Sequence, residues 1–289
     1  MTDTPPQPGS FPEDQAHHAA HLLTPNWPAA QIDTGTAHPA RMYDYYLGGR
    51  DNYQVDRDAA NEVLAVMTEM KVSAQHNRKA LRRMVEYLVD AGVRQFLDIG
   101  TGIPGVGSTG AIVRSLAPDA RVVCVDNDPI VLTHGAALLA DRGDRAVAVR
   151  WGDLRDPDAI LRDIEAHGLL DLTRPVGVLL VAVLHFLSDA DRPERIVRTL
   201  MDAMAPGSYL ALTHATGDFA DPSIIEQVVG VYDRATAPAV PRTYSRVAAF
   251  FGGLALVAPG VVRIADWRPD QDFADADDAW MYAGLGCKP

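Results

Sequence analysis

Beyond residue 93 the chain alternates between short, nearly apolar runs and longer stretches in which apolar residues return every three or four positions. The apolar runs are VRQFLDI (93–99), RVVCVD (121–126), AVAVRW (146–151), VGVLLVAVL (176–184) and SYLALTH (208–214). Such runs, divided by helical stretches, predict strands buried on both faces of a parallel sheet. Ahead of them, residues 57–70 (RDAANEVLAVMTEM) and 74–93 carry the helical period and predict two amphipathic helices. Two further helices are expected from SIIEQVVGVYDRA and TYSRVAAFFGGL, the second ended by Gly252-Gly253. Short strands follow at 254–257 and 279–286, joined by the acidic loop QDFADADD, which lacks the Gly and closing Glu of a calcium loop.

A polar residue closes each of the first five strands. Asp98, Asp126, Asp153, His185 and His214 follow one another at intervals of 28, 27, 32 and 29 residues, each about one βα repeat. In an open parallel sheet the ligand sits beyond the carboxyl ends of the strands, where strand order reverses. These side chains, the first three above all, are therefore expected around one crevice.

The first strand runs into FLDIGTGIPG, which fits two nucleotide fingerprints. Gly100, Gly102 and Gly105 satisfy the G-x-G-x-x-G of a dinucleotide turn, while Asp98-x-Gly100-x-Gly102 fits the turn used for S-adenosylmethionine. A carboxylate at Asp98 asks for a cation. The α-ammonium and sulfonium of S-adenosylmethionine supply one, whereas the pyrophosphate of NAD would be repelled. Pro104 delays the next helix, with Ser108 or Thr109 as its N-cap, which weakens the case for a phosphate pair seated on a helix N-terminus. Asp126 suits ribose hydroxyls in either reading. Asn127 and Asp128 can reach an adenine ring, and Asp128 is also placed to cap the helix after Pro129. Asp153 and the Leu154 amide can read an adenine edge.

With FLDIGTG, VVCVDND, WGD, VAVLHFL and MAPGSYLAL together, the chain resembles the class I S-adenosylmethionine-dependent methyltransferases from about Arg94 to Gly286. More narrowly, ARMYDYYLGGRDNYQVDRDAA, DIGTGIP, DNDPIVLTH and FFGGLALVAPGVV are similar to an actinobacterial family of S-adenosyl methyltransferases long classed as a domain of unknown function. The resemblance implies an α/β fold: a Rossmann-like, seven-stranded, mostly parallel sheet with helices on both faces and an antiparallel final strand. It also implies a cofactor held by Asp98, Gly100, Gly102, Asp126 and Asp153. Pro104 stands where the class I pattern has a third Gly.

His185 ends the fourth strand and is the expected general base, with His214 the alternative. Residues 42–53, MYDYYLGGRDNY, combine four tyrosines, an Arg and two Asp around Gly48-Gly49. They are expected to fold over the crevice as a lid hinged at the glycines, with Tyr43, Tyr46 or Arg50 facing the ligand. The organisation expected is a disordered tail at 1–38, a helical lid segment at 39–92 and a cofactor-binding domain at 93–289.

Composition narrows the partners. The net charge of −12 disfavours nucleic acid and anionic membranes, so a small-molecule acceptor methylated at O or N is expected. Arg78, Lys79, Arg82 and Arg83 read as a solvated helix face. Two cysteines, no zinc-like spacing, no membrane-length apolar run and no leader pattern suggest a metal-free cytoplasmic protein. His17, His18 and His21 sit close enough to bind a metal only opportunistically. A cofactor-binding protein without transferase activity, and an NAD-dependent oxidoreductase, are the competing readings.

Overall fold

A computed structural model of the chain describes residues 33–105, 107–142, 146–269 and 279–289. The expected tail up to residue 32, its three histidines and the acidic loop at 271–278 lie outside the described residues. Three helices come first: α1 (Pro39–Tyr46), α2 (Gln54–Val66) and α3 (Met70–Asp90). The helix α1 starts at a proline behind His38, whose Nδ1 accepts the Ala40 N–H, the arrangement that satisfies free donors at a helix start.

Alternation follows: β1 (Gln95–Ile99), α4 (Thr109–Leu116), β2 (Arg121–Asp126), α5 (Pro129–Arg142), β3 (Val147–Trp151), α6 (Pro157–Ala166), β4 (Gly177–Val181), α7 (Pro193–Ala203) and β5 (Tyr209–Ala215). The chain closes with α8 (Pro222–Tyr232), α9 (Tyr244–Ala249), β6 (Ala255–Leu256), β7 (Val262–Arg263) and β8 (Met281–Cys287). Ser108, extended at ψ 154°, is the N-cap residue of α4, as the sequence predicts.

The sheet order is β3-β2-β1-β4-β5-β8-β6, with β7 also paired to β8. Strands β1 to β5 are parallel, and β8 runs antiparallel to β5, β6 and β7. The sheet therefore has eight strands and not the expected seven. The extra one, β7, is two residues long, too short to carry a period.

Alternate strand residues feed two cores. Leu97, Ile99, Val123, Val125, Leu180 and Leu212 pack with α6 and α7 on one face, while Phe96, Val122, Cys124 and Leu179 pack with α3 and α4 on the other. Burial on both faces is why these strands read as unbroken apolar runs. A third cluster joins Met42 and Tyr46 of α1, Ala60 and Val63 of α2, and Val228, Val231 and Tyr232 of α8. It seats the N-terminal helices over the end of the sheet where the order switches from β1 to β4. Among the described residues no helix is long and apolar enough to cross a membrane.

Candidate active site

A cavity of about 720 Å³ lies at the carboxyl ends of the parallel strands, within the size range of small-molecule sites. Asp98, Gly100, Gly102, Asp126, Asn127, Asp153, Leu154, His185 and Tyr46 all line it. Arg50 does not; it is exposed in the turn after α1. Gly48-Gly49, expected to be a hinge, is a closed turn. The Gly49 N–H donates to the Asp44 carbonyl, and the Asp44 carboxylate accepts the Asp51 N–H and the Asn52 amide.

One end of the cavity is built by the turns after β1, β2 and β3. Gly100 (φ 76°) and Gly102 (φ 66°) both occupy the left-handed region, which costs other residues roughly 1–2 kcal/mol. They differ in surroundings: a Cβ on Gly100 would come 2.8 Å from Val183 Cβ, whereas one on Gly102 would meet nothing within 4 Å. Ala182, at φ 54°, makes the turn after β4, and its N–H donates to Thr213 Oγ1.

Asp98, Asp126 and Asp128 are buried here, and Asp153 is half-buried. Asp98 accepts the Thr101 hydroxyl at 2.7 Å, and its burial raises its pKa against the opposing pull of Thr101, Thr109 and Arg78. Asp126 accepts the Gly102 N–H at 2.9 Å and the Asp128 N–H at 3.0 Å, yet burial still pushes it up to about 6. With the Asn127 N–H also acting on it, one of its four lone pairs is left for a further donor. Burial also raises Asp153, but the bonds from Arg155 outweigh it and hold that carboxyl low. Asp128 caps α5 through the Ile130 N–H. Its other oxygen lies 3.4 Å from Arg41 Nε, which also sits 3.6 Å from Asp56, so α1 is tied to the turn after β2.

Arg78 is a site residue that sequence reasoning missed. It lines the cavity, half-buried, with its guanidinium 5.3 Å from the Tyr43 ring centre. Met70, Ser73, Ala74, Asn77, Arg78 and Leu81 form one cavity-facing line on α3, and a charge on an otherwise uncharged helical line was the available signal. The expected solvated face is correct only for Lys79 and Arg82, which are exposed. Arg83 is buried and donates to the carbonyls of Trp267 and Ile264.

Both histidines depart from the expected base role. His185 Nδ1 accepts the Ala215 N–H at 3.2 Å, so the neutral ring carries its proton on Nε2 and has no free lone pair. Burial, with His214 and Arg242 nearby, keeps it neutral, far below its ordinary value. His185 is therefore a donor. His214 is fully buried and absent from the cavity wall, because β5 runs one residue further, to Ala215. Its Nδ1 donates to the Ala215 carbonyl and its Nε2 accepts from Arg242; burial lowers its pKa to about 3.

At the other end α1, α3 and α8, with the residues just after α2 and just before β8, contribute Tyr43, Tyr46, Met67, Met70, Val228, Tyr232 and Trp280, next to Phe186 from the turn after β4. The Tyr46 and Tyr232 hydroxyls lie 3.4 Å apart.

A family profile described as S-adenosyl methyltransferase matches residues 25–289, and the chain belongs to that family. S-adenosylmethionine is accordingly its cofactor and the protein is a methyltransferase. Among solved structures, a DUF574 family protein from Streptomyces avermitilis MA-4680 is 41% identical, with 90% of this chain and all 100% of that chain aligned at a TM-score of 0.83. A candidate methyltransferase from Thermobifida fusca YX is 39% identical over 91% of this chain and 99% of its own, with a TM-score of 0.82. Magnesium protoporphyrin IX methyltransferase from Synechocystis PCC 6803, bound to S-adenosylhomocysteine, shares the fold at 13% identity and a TM-score of 0.51, over 86% of this chain and 93% of that one. No curated protein matches the sequence. The dinucleotide reading of FLDIGTGIPG is thereby set aside.

The residues present fit the cofactor. Asp98 is a buried carboxylate on the cavity wall, Asp126 keeps a lone pair for a hydroxyl, and the space over Gly102 is one that any side chain would fill.

Proposed function

We propose that the protein methylates a small molecule on oxygen or nitrogen, with the donor held at the β1–β3 end of the cavity and the acceptor beneath α1 and α8. The observation that carries this reading is the single cavity running from the two fingerprint glycines to Tyr46, Tyr232 and Trp280. Asp98 would hold the α-ammonium, Arg78 the α-carboxylate and Asp126 a ribose hydroxyl, with Asn127, Asp153 and Leu154 around the adenine.

When bound, S-adenosylmethionine supplies a sulfonium-activated methyl group: the new O–C or N–C bond forms as S–C breaks, sulfur keeps that pair, and the acceptor loses a proton. The chain's own part is placement. The turns after β1 and β4 fix one partner, the helical roof fixes the other, and alignment of this kind is worth roughly 7–11 kcal/mol. His185 donates from Nε2 into the site and takes up no proton, so the acceptor's proton leaves to water. Calorimetric titration with S-adenosylhomocysteine and NADH, followed by a screen of small hydroxyl and amine compounds for S-adenosylhomocysteine release, tests the reading. Binding of NADH alone, or turnover only on macromolecules, would overturn it.

A further inference from the structure

Taking the β4–β8 end of the cavity as the acceptor site proposed above, we infer that the acceptor is an uncharged, ring-bearing apolar molecule whose oxygen is gripped by the Tyr46–Tyr232 hydroxyl pair. The charged groups of the cavity wall sit on the donor side. Asp98, Asp126, Asp128 and Asp153 follow the first three strands, Arg41 lies against Asp128 and donates to the Asp33 carbonyl, Arg155 pairs with Asp153 within the field of Asp191, and Arg78, between Tyr43 and Asp98, acts on the Asp98 carboxylate. Beyond His185, the walls given by α8, residues 236–241 and Trp280-Met281 carry no charged side chain among the described residues. A charged acceptor would enter that end without a counter-ion, which is strongly unfavourable in an apolar enclosure.

The polar groups at this end narrow the choice further. Tyr43 and Asn77 are occupied: the Tyr43 hydroxyl donates to the Ala74 carbonyl and accepts from Asn77, whose Oδ1 accepts the Thr213 hydroxyl. Tyr46 and Tyr232 differ. Both are more than nine-tenths buried, and their single mutual hydrogen bond uses one of two phenolic protons. The other proton has no acceptor among the described residues, and burial keeps both phenols protonated by raising their pKa values. A buried donor of this kind selects a ligand oxygen and rejects the analogue that lacks one. Phe186, Trp280, Met67 and Met70 around it suit a flat ring system.

The test uses the full chain and four matched probes, naphthalene, 2-naphthol, naphthalene-2-carboxylate and 2-(aminomethyl)naphthalene, titrated calorimetrically with and without S-adenosylhomocysteine. The expected result is that 2-naphthol binds about 100-fold more tightly than either charged probe. Tyr46→Phe and Tyr232→Phe, separately and together, are expected to weaken 2-naphthol about tenfold while leaving naphthalene itself unaffected. A charged probe that binds as well as 2-naphthol, absence of 2-naphthol binding, or wild-type 2-naphthol affinity in the double variant would each overturn the inference. Loss of S-adenosylhomocysteine binding in the wild-type chain would instead strike the donor assignment, so the two failures are distinguishable.

Discussion

The two fingerprint glycines look alike in sequence and in backbone angle, yet alanine at each should fail for different reasons. Gly100→Ala places a Cβ against Val183. The left-handed backbone costs roughly 1–2 kcal/mol and the overpacking roughly 1–3 kcal/mol, for a total of about 2–5 kcal/mol. At about 2–4 °C per kcal/mol for a chain of this order of size, the thermal midpoint should fall by about 4–20 °C. Gly102→Ala bears only the backbone cost, because its Cβ enters open cavity, so its midpoint should fall by about 2–8 °C. That Cβ occupies space the donor needs, and S-adenosylhomocysteine affinity should drop about 10- to 100-fold, the affinity equivalent of mild overpacking. Adding Val183→Ala should recover part of the Gly100→Ala loss and none of the Gly102→Ala loss, since only the first pair is in contact. Differential scanning fluorimetry and calorimetry on the four variants read both quantities. Wild-type S-adenosylhomocysteine affinity in Gly102→Ala would refute the placement of the donor over that turn.

Three further outcomes follow from the same geometry. Arg78→Met should weaken S-adenosylhomocysteine about 10- to 100-fold, the range for a lost hydrogen bond to a charged group, while leaving 5′-methylthioadenosine, which lacks the amino-acid part, unchanged; equal losses for both ligands would remove Arg78 from the carboxylate role. Asp126 titrates near 6 in the folded chain against an ordinary 3.8, so between those values the folded state binds more protons than the unfolded one and the Asp126 contribution to stability falls as pH rises. A ribose hydroxyl donating to the ionised carboxylate releases that proton, so affinity for S-adenosylhomocysteine should climb from pH 5 to 7 and flatten above; a flat profile in buffers of different ionisation enthalpy would contradict the Asp126 assignment. Arg41→Ala removes the cation beside the buried Asp56 and Asp128 carboxylates and should cost about 3–5 kcal/mol, read by urea denaturation, with Arg41→Lys recovering little because the planar fork that also holds the Asp33 and Thr36 carbonyls is lost.

Most of the sheet was legible because burial on both faces leaves an unambiguous apolar run, and five such runs separated by helical periods admit few arrangements. The misreadings arose where a partner came from far along the chain. Arg83 looks solvated on its helix but is drawn inward by the Trp267 and Ile264 carbonyls. His214 looks like a strand-end ligand but is held by Arg242, which also grips the Leu184 and Leu187 carbonyls and Asp189. No local period announces an arginine that arrives from another segment to satisfy buried carbonyls.

The two ends of the cavity differ in the same way. The donor end consists of consecutive strand-to-helix turns, so Asp98, Gly100, Gly102, Asp126, Asn127, Asp153 and Leu154 could be placed from spacing alone, and all of them line the cavity. The acceptor end is assembled by packing: Tyr46 from α1 meets Tyr232 from α8 only because a shared apolar cluster brings those helices together. Local sequence fixes the first and tertiary contact fixes the second. Side chains at the proposed acceptor end can therefore change without disturbing the donor turns.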